Sequence, residues 1–163
     1  MNATPITVLF LCTGNSARSI LAEALLNALG TPRFRGLSAG SHPTGQPNPH
    51  ALAALRRAGI ATDGLRSKSW DEFADGPRID LVITVCDSAA GERCPLFPGE
   101  GTKAHWGIPD PAGDADPDTA FAGAFDVLRR RVRRLVDLPL ERLDPVGRSA
   151  ALDGIAKAEP WRP

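Results

Sequence analysis

Three kinds of residue, at particular places, carry the reactive potential of this sequence: cysteine, arginine and aspartate. In VLFLCTGNSARS, five residues separate Cys12 from Arg18, and Ser19 follows directly. A loop that winds into a helix start turns several backbone N–H groups inward, and the helix dipole adds partial positive charge there. Gly14 lets such a loop turn tightly without a Cβ clash. Arg18 offers a planar fork of donors matched to two oxygens of a tetrahedral anion. The same groups favour a thiolate at Cys12, on the floor of the cradle, below the ordinary thiol pKa of about 8.5. A loop of Thr13, Gly14, Asn15, Ser16, Ala17, Arg18 and Ser19 would thus bind an oxyanion and aim a sulfur nucleophile at its central atom. Ser19 is expected to hydrogen-bond the sulfur, and Asn15 to hold the loop's shape. The bland alternative is a buried cysteine at a strand end, a turn glycine and a surface arginine. No Gly-Lys-Ser/Thr ending follows, which excludes a Walker-type phosphate loop.

A second group is Cys86 and Cys94, in VCDSAAGERCPLFPG. No Cys-x-x-Cys or paired histidine accompanies them, and His42, His50 and His105 are scattered, so no metal site is expected. Two inert core cysteines are one reading. Thiol–disulfide exchange is the other, in which one thiolate attacks a sulfur adduct and a second thiol resolves the product. Bridging requires Cα separations below about 7 Å, and hence a segment that moves. Asp110 precedes Pro111 in HWGIPDPAG. A carboxyl held near an oxyanion can protonate a departing hydroxide. Asp-Pro is otherwise only a turn signal, repeated at Asp116-Pro117 and Asp144-Pro145.

These residues need a frame. ITVLFLC is short, β-rich and almost wholly apolar, as in a strand covered on both faces. From Ala17 the pattern turns helical, with Ile20, Leu21, Ala24, Leu25, Ala28 and Leu29 on one side and Gly30 as a stop. FRGLSAG reads as a second strand. Asn48 caps and Pro49 opens a helix whose face is Ala51, Leu52, Leu55 and Ala58, ending at Gly59. IDLVITVC is the third strand and KAHWGI a weak fourth. Asp116 and Pro117 open a helix with Phe121, Phe125, Leu128, Val132 and Leu135 on its apolar side. Strands alternating with helices predict a three-layer, doubly wound α/β fold of about four parallel strands flanked by helices. In such sheets function collects at the carboxyl edge. Two of the predicted strand ends there are cysteines.

Residues 1–137 are expected to form the domain. Residues 138–163, punctuated by proline and charge, read as a C-terminal tail packed on it or peripheral to it. Arg129 to Arg134 lie opposite the Phe121–Leu135 face and are expected to be a solvated helix surface, not a nucleic-acid patch. Trp70 and Trp106 read as core or loop anchors. Nineteen basic and nineteen acidic residues give a formal charge of zero, so nothing global favours nucleic acid or membrane. The start, MNATPI, lacks the basic region of a signal peptide, and no stretch nears the ~20 apolar residues of a membrane span. A cytoplasmic setting with reduced cysteines is expected.

VLFLCTGNSARS resembles the active-site loop of the low-molecular-weight phosphotyrosine phosphatases and of the arsenate reductases built on the same fold, and CTGNSARS is closer to the reductases. The resemblance covers roughly Ile6 to Val136. It implies that Cys12 is the nucleophile, Arg18 an anion ligand and Asp110 the general acid. In this fold the ends of the first and third strands are neighbours, so Cys86 would reach an adduct on Cys12. Three-cysteine arsenate reductases pass the oxidation from the nucleophile to a second cysteine and then to a third, here Cys86 and Cys94. These two stand slightly farther apart than in the thioredoxin-linked members, which leaves open the order of attack and the external thiol reductant, thioredoxin or glutaredoxin with glutathione. Ala17 stands where some relatives carry a further loop cysteine. Ala112 stands where the phosphatases usually carry an aromatic residue, and the chain has no tyrosine; both suit a small inorganic anion better than an aryl ester. Some members bind potassium through Asn and Glu matching Asn15 and Glu23. Ser69 replaces their acidic ligand, so no ion is expected here, nor any other cofactor. The resemblance therefore implies a reductase of arsenate to arsenite. A phosphatase of the same fold, or a non-enzymatic redox or oxyanion sensor, are the alternatives.

Overall fold

The computed structural model describes residues 4–91, 96–99 and 101–162. Four strands, β1 (Ile6–Leu11), β2 (Phe34–Ala39), β3 (Leu81–Thr84) and β4 (Thr102–His105), form one parallel sheet in the order β2-β1-β3-β4. The helices are α1 (Arg18–Gly30), α2 (Pro49–Arg57), the single turn α3 (Asp87–Ala90), α4 (Pro117–Val136) and α5 (Pro145–Ala158). Short 3-10 turns occupy Trp70–Phe73, Pro111–Gly113 and Leu140–Arg142.

Continuous apolar strands require cover on both faces, and β1 shows how it is divided. Val8 and Phe10 point into the larger core, with Leu21 and Leu25 of α1, Leu55 of α2, Phe121, Leu128 and Val132 of α4, and Leu152 and Ile155 of α5. Leu9 and Leu11 point the other way, into a smaller cluster with Ala39, Phe73, Ile79, Val82 and Phe97. The cover is thus thick on one face and thin on the other.

Helix starts follow the sequence signals. Asn48 Oδ1 accepts from His50 N at 2.8 Å, with Pro49 at the first position of α2. Asp116 accepts from Thr119 N and caps α4 ahead of Pro117. α1 is the exception, since Ala17 precedes it with no side-chain cap.

Two features add to the sequence reading. The chain after Asp137 contains α5, which docks on β4 and α4 with Leu152 and Ile155 buried, and Trp106 Nε1 donates to Leu152 O at 3.0 Å. Arg131 does not belong to a solvated arginine face. It is buried, donating from Nε to Glu159 O (2.9 Å) and from Nη1 to Trp106 O (2.8 Å). Among the described residues no loop or turn N–H donates to either carbonyl, and the guanidinium supplies their donors. Among the described residues, no helix is long and apolar enough to cross a membrane.

Candidate active site at the ends of β1 and β3

Register places the two cysteines together. Leu11 pairs with Thr84 across β1 and β3, so Cys12 is one residue past the pair and Cys86 two. Both thiols are free and buried.

The loop after Cys12 is held from outside by its carbonyls. His42 N donates to Thr13 O (2.9 Å), Thr44 N to Gly14 O (3.0 Å) and Asn48 N to Ser16 O (2.8 Å). Ser67 Oγ adds a second bond to Gly14 O at 3.1 Å. With the carbonyls turned outward, the N–H groups turn inward. No described group accepts from the N–H of Asn15, Ser16 or Ala17. Together with the uncapped start of α1, they form a cradle of donors with the dipole behind it.

Asn15 shapes the turn. It is the one non-glycine residue among those described with a left-handed backbone, φ 44°. That conformation costs a side-chain-bearing residue roughly 1–2 kcal/mol, least for Asn and Asp. Its amide is fully buried: Nδ2 donates to Ser19 Oγ (2.8 Å) and Ser38 Oγ (2.9 Å), and Oδ1 accepts from Lys68 N (2.9 Å). Ser19, expected to bond the Cys12 sulfur, bonds Asn15 instead. Gly40 lies directly beneath the loop. A Cβ there would sit 2.4 Å from Thr13 O, 2.7 Å from Cys12 O and 3.0 Å from Asn15 N.

Arg18 reaches over from the first turn of α1. Nη1 donates to Ile108 O at 2.9 Å, Nη2 lies 3.9 Å from Asp110 Oδ2, and the buried Nε has no partner among the described residues. Asp110 uses its other oxygen to accept from Ala112 N (3.0 Å), which fixes the Asp-Pro turn at the rim. Ala112 is exposed and offers no ring to a substrate.

The thiols are coupled. The neighbouring Cys86 thiol, with burial, pushes the Cys12 pKa up; Arg18 and the Gly14 N–H pull it down. Cys86 is pulled down to about 5, first by the neighbouring Cys12 thiol and then, against the cost of burial, by the Ala89 and Thr13 N–H groups. Ala89 N lies 3.4 Å and Thr13 Oγ1 3.7 Å from the Cys86 sulfur. The pair therefore shares one proton and carries one negative charge at neutral pH. Cys94 lies outside the described residues. The structure thus brings Cys12, the 13–19 loop, Arg18, Cys86 and Asp110 to one edge. Ser38, Ser67 and Lys68, outside the motif, all bond loop residues.

Fold and site define an α/β protein with a thiol on the floor of a cradle of backbone N–H groups at the sheet's carboxyl edge. The chain belongs to the low molecular weight phosphotyrosine protein phosphatase family, whose sequence model matches residues 7–146. An arsenate reductase of Bacillus licheniformis is 36% identical over 138 residues, which is 80% of this chain and 95% of that protein. Of solved structures, an arsenate reductase in a phosphate-binding state superposes with a TM-score of 0.66 at 28% identity, over 80% of this chain and 96% of that one. A thioredoxin-dependent arsenate reductase of Corynebacterium glutamicum gives a TM-score of 0.63 at 28% identity; 82% of this chain is covered, but it spans only 62% of that protein.

Proposed function

We propose that this chain is an arsenate reductase that converts arsenate to arsenite by a thiol relay starting at Cys12. The observation that carries the reading is the β1–β3 register, which sets the buried Cys12 and Cys86 thiols side by side beneath the cradle. Phosphate-ester hydrolysis needs one thiol; reduction of As(V) needs two.

Arsenate binds through the loop N–H groups and Arg18. The proton shared by the pair passes to Cys86, which Arg18 and the Gly14 N–H favour by stabilising charge on Cys12. The Cys12 thiolate attacks arsenic, an S–As bond forms, and an As–O bond breaks with Asp110 protonating the leaving hydroxide. Cys86 then gives its proton to solvent, its thiolate still held by the Ala89 and Thr13 N–H groups, and attacks the Cys12 sulfur. The S–S bond forms as the S–As bond breaks, and its electron pair stays on arsenic. Two thiols are oxidised to a disulfide and As(V) is reduced to As(III). Cys94 attacks Cys86, frees Cys12, and leaves a Cys86–Cys94 disulfide for an external thiol. The C. glutamicum relative supports thioredoxin as that reductant; glutaredoxin with glutathione is the other source, and either suits a cytoplasmic enzyme.

Arsenite production assayed with each reductant system tests the reading. Cys86→Ser should abolish multiple turnover with either one. Full turnover by that variant, or robust aryl-phosphate hydrolysis by Cys86→Ser/Cys94→Ser with no arsenite formed by the wild type, would overturn it.

A further inference from the structure

Beneath the cradle lies a buried cation for which the proposed relay has no use. Lys68 is 7% exposed. Its backbone is pinned beside β2: Gly40 N donates to Lys68 O (3.0 Å), Trp70 N donates to Gly40 O (2.9 Å), and Gly40 and Ser69 form a parallel bridge. The ammonium donates to Arg66 O at 2.8 Å and to Asn15 Oδ1 at 3.4 Å, and stands 3.8 Å from Glu23 Oε1. Glu23 Oε1 accepts from Ser38 Oγ at 2.5 Å, and Ser38 Oγ accepts from Asn15 Nδ2 at 2.9 Å. The four side chains close a ring.

Direction in this ring is not arbitrary. A backbone N–H can only donate, so Lys68 N fixes which end of the Asn15 amide is oxygen. Nδ2 must then donate to Ser19 and Ser38, and the Ser38 hydroxyl must pass its proton toward Glu23. A cation at one end and an anion at the other set every bond between them. Asn15 in this ring is the residue whose positive φ reverses the loop.

We propose that Lys68 is a positioning residue for oxyanion binding, its buried ammonium acting as a tethered cation that holds Asn15, and with it the loop N–H groups, in the anion-ready arrangement. The proposal rests on the cradle being the oxyanion site. Burial pushes the Lys68 pKa down and the Glu23 pKa up, and each charge restores part of the other's shift. Loss of either charge therefore unsettles the ring.

The test uses inorganic phosphate as the probe, with calorimetric affinities for wild type, Lys68→Met and Lys68→Ala, beside arsenate kinetics. Removal of one charged donor should weaken phosphate binding and raise the arsenate KM by about tenfold or more, with kcat changed much less. Ammonium chloride should restore phosphate affinity to Lys68→Ala, while choline chloride at equal ionic strength should not. Unchanged phosphate affinity in either variant overturns the proposal, as does a loss in Lys68→Ala that ammonium leaves untouched. If Lys68→Met fails to fold, Lys68→Met/Glu23→Gln removes the stranded carboxylate, and the same affinity loss is expected of it; wild-type affinity there also overturns the proposal. Phosphate binding by wild type without arsenite formation would defeat the reductase reading alone.

Discussion

Gly40→Ala offers a sharp perturbation of the cradle because the added atom meets only backbone. Its Cβ would stand 2.4 Å from Thr13 O and 2.7 Å from Cys12 O. Ordinary contact begins near 3.4 Å, so the Thr13 carbonyl must retreat by roughly 1 Å, the difference between the two distances. Thr13 O is also the acceptor for His42 N, and Gly40 itself links Lys68 O and Trp70 N, so no side of this contact is loose. Overpacking of this kind costs about 1–3 kcal/mol. At about 2 kcal/mol, a chain of this length should lose roughly 4–8 °C in Tm. A displacement near 1 Å in groups that orient the reacting centre should lower kcat/KM for arsenate on the order of 100-fold. Gly154→Ala is the control: it lies in α5 with nothing within 4 Å of its Cβ. It should keep full activity and gain up to about 1 kcal/mol. Calorimetric melting and steady-state kinetics decide the matter. A Gly40→Ala protein with wild-type Tm and wild-type kcat/KM would refute the close packing on which the cradle depends.

Other consequences follow from named contacts. Because Cys86 is held at about 5, the pair should keep its thiolate down to that pH, and iodoacetamide reactivity should fall only as pH drops through about 5. The sign follows from a depressed acid: the charged form persists above the lowered pKa and is lost below it. Cys12→Ala removes the largest cause, so the remaining Cys86 titration should move upward; a profile unchanged by that substitution would contradict the shared proton. Arg131→Met strands Trp106 O and Glu159 O, and urea unfolding should show a loss on the order of 2–3 kcal/mol. Its arsenate KM should be unaltered, since Arg131's bonds among the described residues go to Glu159 O and Trp106 O and not to the loop.

Much of this was legible in the chain itself, for physical reasons. Apolar runs such as VLFL and LVIT can be satisfied only in a covered parallel sheet, and Asn48-Pro49 and Asp116-Pro117 carry their own caps. Cys12, five residues and Arg18 announce the cradle because strand and helix flank them. α5 was not legible: its sequence, PVGRSAALDGIAKA, holds two glycines and buries only Leu152 and Ile155, so its periodicity is faint. Arg131 looked like one more surface arginine, because the carbonyls it serves belong to Trp106 and Glu159, 25 and 28 residues away. Lys68 meets Asn15 across 53 positions, and no local pattern signals that contact. The proton shared by Cys12 and Cys86 depends on the β1–β3 register, which pairing alone decides.

The relay's first bond is the most direct measure of the whole account. Cys94→Ser protein, reduced and then given one equivalent of arsenate without external thiol, should release one equivalent of arsenite. Peptide mass spectrometry should then find a Cys12–Cys86 disulfide. Arsenite released with both thiols still free, or no arsenite with Cys12 and Cys86 unlinked, would contradict it.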